Sequence, residues 1–194
     1  MAQGIKGKKV AILATDGFEQ SELLEPKKAL EAAGAVTTVV SPKGGTIKGW
    51  TKKNWGDEVK VDLELANADA GSFDALVLPG GVMNPDQLRT MPDAVRFVKA
   101  FVDAKKPIGA ICHGPWTLIE AGGVKGRRMT SWPALKSDLT NAGASWVDEE
   151  CVCDQGLVTS RKPDDLPAFN KKLIEEIGEE KHARVNGSSA EMQT

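Results

Sequence analysis

The chain has 194 residues, 41% hydrophobic and 27% charged, which suits one globular domain with a sizeable core. Its 25 basic and 27 acidic residues leave a formal net charge of −2, arguing against a nucleic-acid partner, which usually calls for a basic surplus. No apolar run approaches the ~20 residues that span a bilayer, and Val10 to Ala14 is too short for a signal-peptide core, so no membrane partner and a cytoplasmic location are expected.

In chain order, Lys9 to Ala14 reads as a strand buried on both faces, followed by the turn residues Asp16-Gly17. Ser21 to Ala33 carries Leu23, Leu24 and Leu30 at helical spacing, with a kink or restart expected at Pro26. Val36 to Val40 is the second strand, and Gly44-Gly45 suggests a hairpin in the less regular stretch from Ser41 to Asn67. Phe73 to Leu78 is a further strand, closed by Pro79-Gly80-Gly81. Asp93 to Lys105 is an amphipathic helix, Pro107 to Ile111 a strand, and Trp116 to Ala121 a short helix stopped by Gly122-Gly123. Leu135, Leu139 and Ala142 mark another helix. Asp154-Gln155-Gly156 is a hairpin turn between two strands, and the last helix runs from about Pro167 to Ile177. This alternation predicts an α/β fold with a mainly parallel sheet. The organisation expected is an N-terminal extension over 1–7, one domain over 8–178, and a polar, mobile tail over 179–194.

The residues able to do chemistry are few. There is no Tyr, the two His are His113 and His182, and the three Cys are Cys112, Cys151 and Cys153. An odd number of Cys without a secretory signal reads as free thiols. In Ile108-Gly109-Ala110-Ile111-Cys112-His113-Gly114-Pro115 a strand gives way to a helix through small residues, the sharp turn that presents a nucleophile at a sheet edge. A helix N-terminus there is expected to lower the thiol pKa, and turn N–H groups could hold an oxyanion. The alternative is a small core-filling Cys, the commonest fate of a free thiol. Adjacent side chains usually point apart, so His113 can serve as base to Cys112 only if the turn is strained. His182, in the polar tail, reads as solvated.

Leu78-Pro79-Gly80-Gly81 ends at the same sheet edge, where its backbone could approach a substrate; an ordinary tight turn is the alternative. Asp16-Gly17-Phe18-Glu19 brings carboxyl groups to that edge. Asn84-Pro85-Asp86 reads as a helix-start cap. Cys151 and Cys153 share a strand face but lack further ligands for a metal, so they read as filler. No nucleotide-binding glycine pattern is present, and no metal or cofactor is expected.

Together these motifs resemble the DJ-1/PfpI superfamily, closest to its PfpI-like branch of intracellular-protease homologues. The resemblance is carried by Asp16-Gly17-Phe18-Glu19, Asp74 to Gly81, Ala110 to Pro115 and Ser160 to Phe169, and runs from about Lys8 to Ile177. It implies a flavodoxin-like three-layer sandwich and a homodimer or larger homo-oligomer with the site near the interface. It also implies Cys112 as nucleophile, His113 as base and oxyanion donor, Gly80 and Gly81 as the second oxyanion element, and Glu19 as the carboxyl bonded to the sulfur. Asp86, from the partner subunit, matches the acid that reaches His113, although the family acid is Glu and its loop one residue shorter. The amidotransferases that share this fold need a His-x-Glu after the elbow; only Lys181-His182-Ala183-Arg184 is present, and that reading fails. The function expected from the resemblance is stress protection, with Cys112 acting on small reactive carbonyls or oxidants. An intracellular cysteine peptidase and a non-enzymatic holdase or redox sensor are the alternatives.

Overall fold

The computed structural model describes the backbone of residues 4–187 and the side chains of residues 4–179. β1 (Lys9–Leu13) is followed by β2 (Phe18–Glu19), α1 (Gln20–Ala32), β3 (Val36–Ser41), β4 (Thr46–Thr51), β5 (Asn54–Lys60), β6 (Leu63–Glu64) and β7 (Ala75–Leu78). Then come α2 (Met83–Leu88), α3 (Pro92–Asp103), β8 (Ile108–Ile111), α4 (Pro115–Glu120), β9 (Arg128–Met129), α5 (Lys136–Asn141), β10 (Ser145–Trp146), β11 (Val152–Asp154), β12 (Leu157–Ser160) and α6 (Leu166–Gly187).

The main sheet has the order β11-β12-β8-β7-β1-β3-β6, parallel except for β11. Its inner five strands follow the flavodoxin-like order, with the chain reversing direction across the sheet between β1 and β7. The expected three-layer sandwich is what forms. Period-2 alternation sorts the side chains: Val10 and Ile12 pack with Leu23 and Leu30 of α1 and Phe169 and Leu173 of α6. Ala11 and Leu13 face the other layer, with Phe97 and Phe101 of α3 and Leu118 of α4. Each fully buried Phe or Leu contributes about 1.5–3 kcal/mol of transfer free energy. Gly109 in β8 allows close approach of α6, since a Cβ there would meet Phe169 at 2.8 Å.

Four expectations need correction. α1 runs unbroken through Pro26, whose ring is buried in its inner face, so there is no restart. The hairpin in the irregular stretch turns at Lys52-Lys53, between β4 and β5, with Lys52 at φ +56°, while Gly44-Gly45 only leads from β3 into β4. Ile5 is fully buried among residues packed by α1 and α6, so the expected extension over 1–7 anchors to the domain at Ile5. α6 continues to Gly187, beyond the boundary at 178 suggested by loss of the apolar stripe. The side chain of His182 lies outside the described residues. The Asp154–Gly156 hairpin forms as expected, with Gln155 at φ +48° and Gly156 at φ +82°.

Candidate active site

The C-terminal ends of β1, β7 and β8 converge, and each delivers one part of the site. Cys112 follows β8 directly and has φ +62°, left-handed backbone that a residue with a Cβ adopts only at a cost. The strained turn is over-determined by its surroundings. The Cys112 N–H donates to Ser160 O at 3.0 Å, the Trp132 N–H donates to Cys112 O at 3.0 Å, and the Gly114 N–H donates to Ile111 O at 2.9 Å. Arg161 and the buried Asp165 hold the end of β12 in turn, through bonds from Arg161 Nε at 2.9 Å and from its backbone N–H at 3.0 Å.

That strain brings two adjacent side chains together: Cys112 Sγ lies 3.2 Å from His113 Nδ1. The imidazole stacks on Trp132, with centroids 6.1 Å apart and planes at 21°, and meets the edge of Trp116 at 5.0 Å. Trp116 is fixed by donation from Nε1 to Asp138 at 2.9 Å. Burial pushes the His113 pKa down, so the ring is neutral near pH 7 and able to accept a proton.

The carboxyl beside the sulfur is Glu22, in the first turn of α1, and not Glu19. Glu19 immediately precedes α1 and is only half-buried; its Oε1 accepts from the Ser21 hydroxyl at 3.4 Å, and burial raises its pKa. Glu22 is fully buried, accepts the Gly80 N–H on Oε2 at 2.9 Å, and has no hydrogen-bond partner on Oε1 among the described residues. Burial pushes its pKa to about 8, with the charge of Glu19 acting in the same direction, so Glu22 is protonated at neutral pH. Sequence periodicity held a signal for it: Glu22, Pro26 and Leu30 are spaced i, i+4, i+8 and all lie on the buried face.

The direction expected for the thiol is also reversed. Burial pushes the Cys112 pKa up, and an anion on Glu22 would push it further, outweighing the opposing backbone N–H groups of Gly81 and His113. Two adjacent buried anions are excluded, so the resting pair is thiol plus carboxylic acid, with His113 placed to take the thiol proton.

In the Gly80-Gly81 turn the Gly80 N–H is committed to Glu22, while that of Gly81 approaches both the Glu22 carboxyl and the sulfur, beside the His113 N–H. A Cβ at Gly80 would lie 2.5 Å from Glu22 Oε2 and 2.6 Å from Cys112 Cβ, so only glycine fits. Asn84 is fully buried inside α2. Its side chain accepts the Thr15 N–H at 2.8 Å and donates to Pro79 O and Gly80 O at 3.0 and 3.1 Å, tying the β1 loop to the glycine turn. The cap reading of Asn84-Pro85-Asp86 is therefore incorrect, since no side chain caps α2. Asp86 is exposed on α2, and no hydrogen bond or ion pair joins it to His113 within the chain.

Cys151 and Cys153 lie half-buried on the sheet edge, away from Cys112. Burial raises both pKa values, that of Cys153 to about 12 with Glu176 contributing. Among the described residues no group of three or more His, Cys, Asp or Glu side chains could hold a metal ion, and no helix is long and apolar enough to cross a membrane.

The DJ-1/PfpI family model matches residues 8–176. General stress protein 18 of Bacillus subtilis is 48% identical over 170 residues, covering 87% of this chain and 96% of that protein. Protein/nucleic acid deglycase 2 of Escherichia coli is 43% identical over 173 residues, covering 88% of this chain and 98% of that protein. A crystal structure of a two-domain protein from Anabaena variabilis, containing DJ-1/ThiJ/PfpI-like and ferritin-like domains, superposes with TM-score 0.82 at 37% identity. That superposition covers 88% of this chain and 48% of the other. The chain belongs to the DJ-1/PfpI family.

Proposed function

We propose that this DJ-1/PfpI family member is a stress-protection enzyme that uses Cys112 to attack small reactive carbonyl compounds. The observation that carries the reading is the Cys112 Sγ to His113 Nδ1 approach of 3.2 Å in a turn held at φ +62°. As the thiol adds to an aldehyde or ketone carbon, neutral His113 accepts its proton, and the carbonyl oxygen becomes an alkoxide. The N–H groups of Gly81 and His113 stabilise that alkoxide, while protonated Glu22 keeps a competing anion away from the sulfur. The names of the stress-protein and deglycase relatives support a stress-protection enzyme.

Asp86 of a second subunit completes the arrangement by orienting His113. Supporting a shared site, Val82 and Met83, which lead into α2, and Trp132 are exposed apolar residues, Val82 at 56%. The site would act on soluble metabolites in the cytoplasm. The test compares methylglyoxal consumption and peptide cleavage by the wild type and Cys112→Ser. Carbonyl turnover that disappears in Cys112→Ser is the expected result. Cys112-dependent peptide cleavage without carbonyl turnover would instead support a peptidase, and carbonyl turnover surviving in Cys112→Ser would remove the thiol from the mechanism.

A further inference from the structure

A cavity of about 200 Å³ lies at the opposite end of the sheet from Cys112, where β8 and β12 begin. Its walls are apolar: Val102 from α3, Leu118 from α4, and Ile108 and Leu157 at the strand starts. Its remaining lining is rich in cationic side chains and contains no carboxylate.

The positive charge at this cavity is poorly compensated. Lys106 Nζ donates to Ala70 O at 2.9 Å and Phe73 O at 2.7 Å, acceptors that satisfy its hydrogens and leave its charge. Arg127 donates to the carbonyls of Asp154 and Gln155 and forms an ion pair with Asp154, Nε to Oδ2 at 3.6 Å, while that buried Nε has no hydrogen-bond acceptor among the described residues. Lys105, exposed just beyond α3 at φ +54°, has no ion-pair partner among the described residues. Three cations thus border an apolar space with only Asp154 nearby to offset them.

We propose that this cavity binds a small organic carboxylate, with a ring or short branched chain in the apolar interior and its anion at Lys105 and Arg127. An apolar cavity of about 150 Å³ is enough to hold benzene, so the hydrocarbon part fits. Water-competing apolar contact supplies affinity, and the excess of three cations over the one carboxylate of Asp154 supplies the preference for an anion. Inorganic phosphate carries the charge but has no apolar part to place against the Val102, Leu118 and Leu157 wall. The site is separate from the nucleophile, although β8 runs from the cavity at Ile108 to Cys112.

Calorimetric titration of the full chain with benzoate and isovalerate tests this, with benzamide and inorganic phosphate as contrasts. Saturable one-to-one binding of at least one carboxylate is expected, with benzamide and phosphate weaker by about tenfold or more. Lys105→Glu, at an exposed position, should weaken carboxylate binding by about tenfold without changing the melting temperature of the free protein. Protein alkylated at Cys112 should bind as the unmodified chain does. Binding of neither carboxylate, benzamide as tight as benzoate, phosphate as tight as benzoate, unchanged affinity in Lys105→Glu, or binding lost on alkylation of Cys112 would each overturn the proposal.

Discussion

The Gly80 N–H donates to Glu22 Oε2 at 2.9 Å, joining the turn after β7 to the first turn of α1 across 58 residues of sequence. This bond fixes the fully buried carboxyl against the Cys112 elbow, and its protonation links the site to the stability of the whole domain. Because the folded-state pKa of about 8 lies above the ordinary 4.5, the folded chain holds a proton that the unfolded chain releases between those values. Stability from this group is complete below about pH 4.5 and is lost as pH rises through about 8. Denaturant titrations should show a wild-type contribution falling by about 1.4 kcal/mol per pH unit within that window. Glu22→Gln, which preserves an acceptor for Gly80 and cannot ionise, should flatten the slope. Identical pH profiles for the two proteins would refute the assignment.

Gly80→Ala should disrupt site and fold together. The added Cβ would fall 2.5 Å from Glu22 Oε2 and 2.8 Å from Ile111 O, and neither the backbone carbonyl nor the buried carboxyl can move freely. A loss of about 1–3 kcal/mol is expected from chemical denaturation, together with altered iodoacetamide reactivity at Cys112. An unchanged midpoint and alkylation rate would show that the turn has room to give.

Oxidation separates Glu22 from Glu19. A protonated Glu22 can donate a hydrogen bond to a sulfinate oxygen on Cys112, whereas Glu19 is engaged with Ser21. Peptide-resolved mass spectrometry after graded peroxide should show Glu22→Ala shifting Cys112 from sulfinate toward sulfonate, with Glu19→Ala resembling wild type. The reverse pattern would restore the carboxyl role to Glu19.

The proposed contribution of Asp86 from a second subunit is tested by activity against concentration. Specific carbonyl turnover should fall with dimer content on dilution, and Asp86→Asn should lower it further while leaving the melting temperature unchanged. A fully active Asp86→Asn protein would eliminate this acid.

At the β11–β12 hairpin, Gln155 occupies left-handed backbone at φ +48°, where Asn is better tolerated. Gln155→Asn should stabilise the protein by a few tenths to about 1 kcal/mol, measured as a shift in denaturation midpoint at unchanged slope. A destabilised variant would mean that Gln155 contributes contacts that outweigh its backbone strain.

The sequence alone determined what depends on near neighbours. Apolar runs and their periods located β1, β3, β7, β8, α3 and the β11–β12 hairpin, and the small residues around Cys112 marked the elbow. Tertiary structure decided which groups meet. Glu19 and Glu22 are separated by less than one helical turn, and only the docking of α1 against the Gly80 turn selects Glu22, because an α-helix buries one stripe and leaves the rest outside. The pairing of Cys112 with His113 required φ +62°, a conformation imposed by bonds to Ser160 and Trp132 that are distant along the chain. The upward thiol shift has the same origin, since desolvation depends on what surrounds a group in space and not on its sequence neighbours.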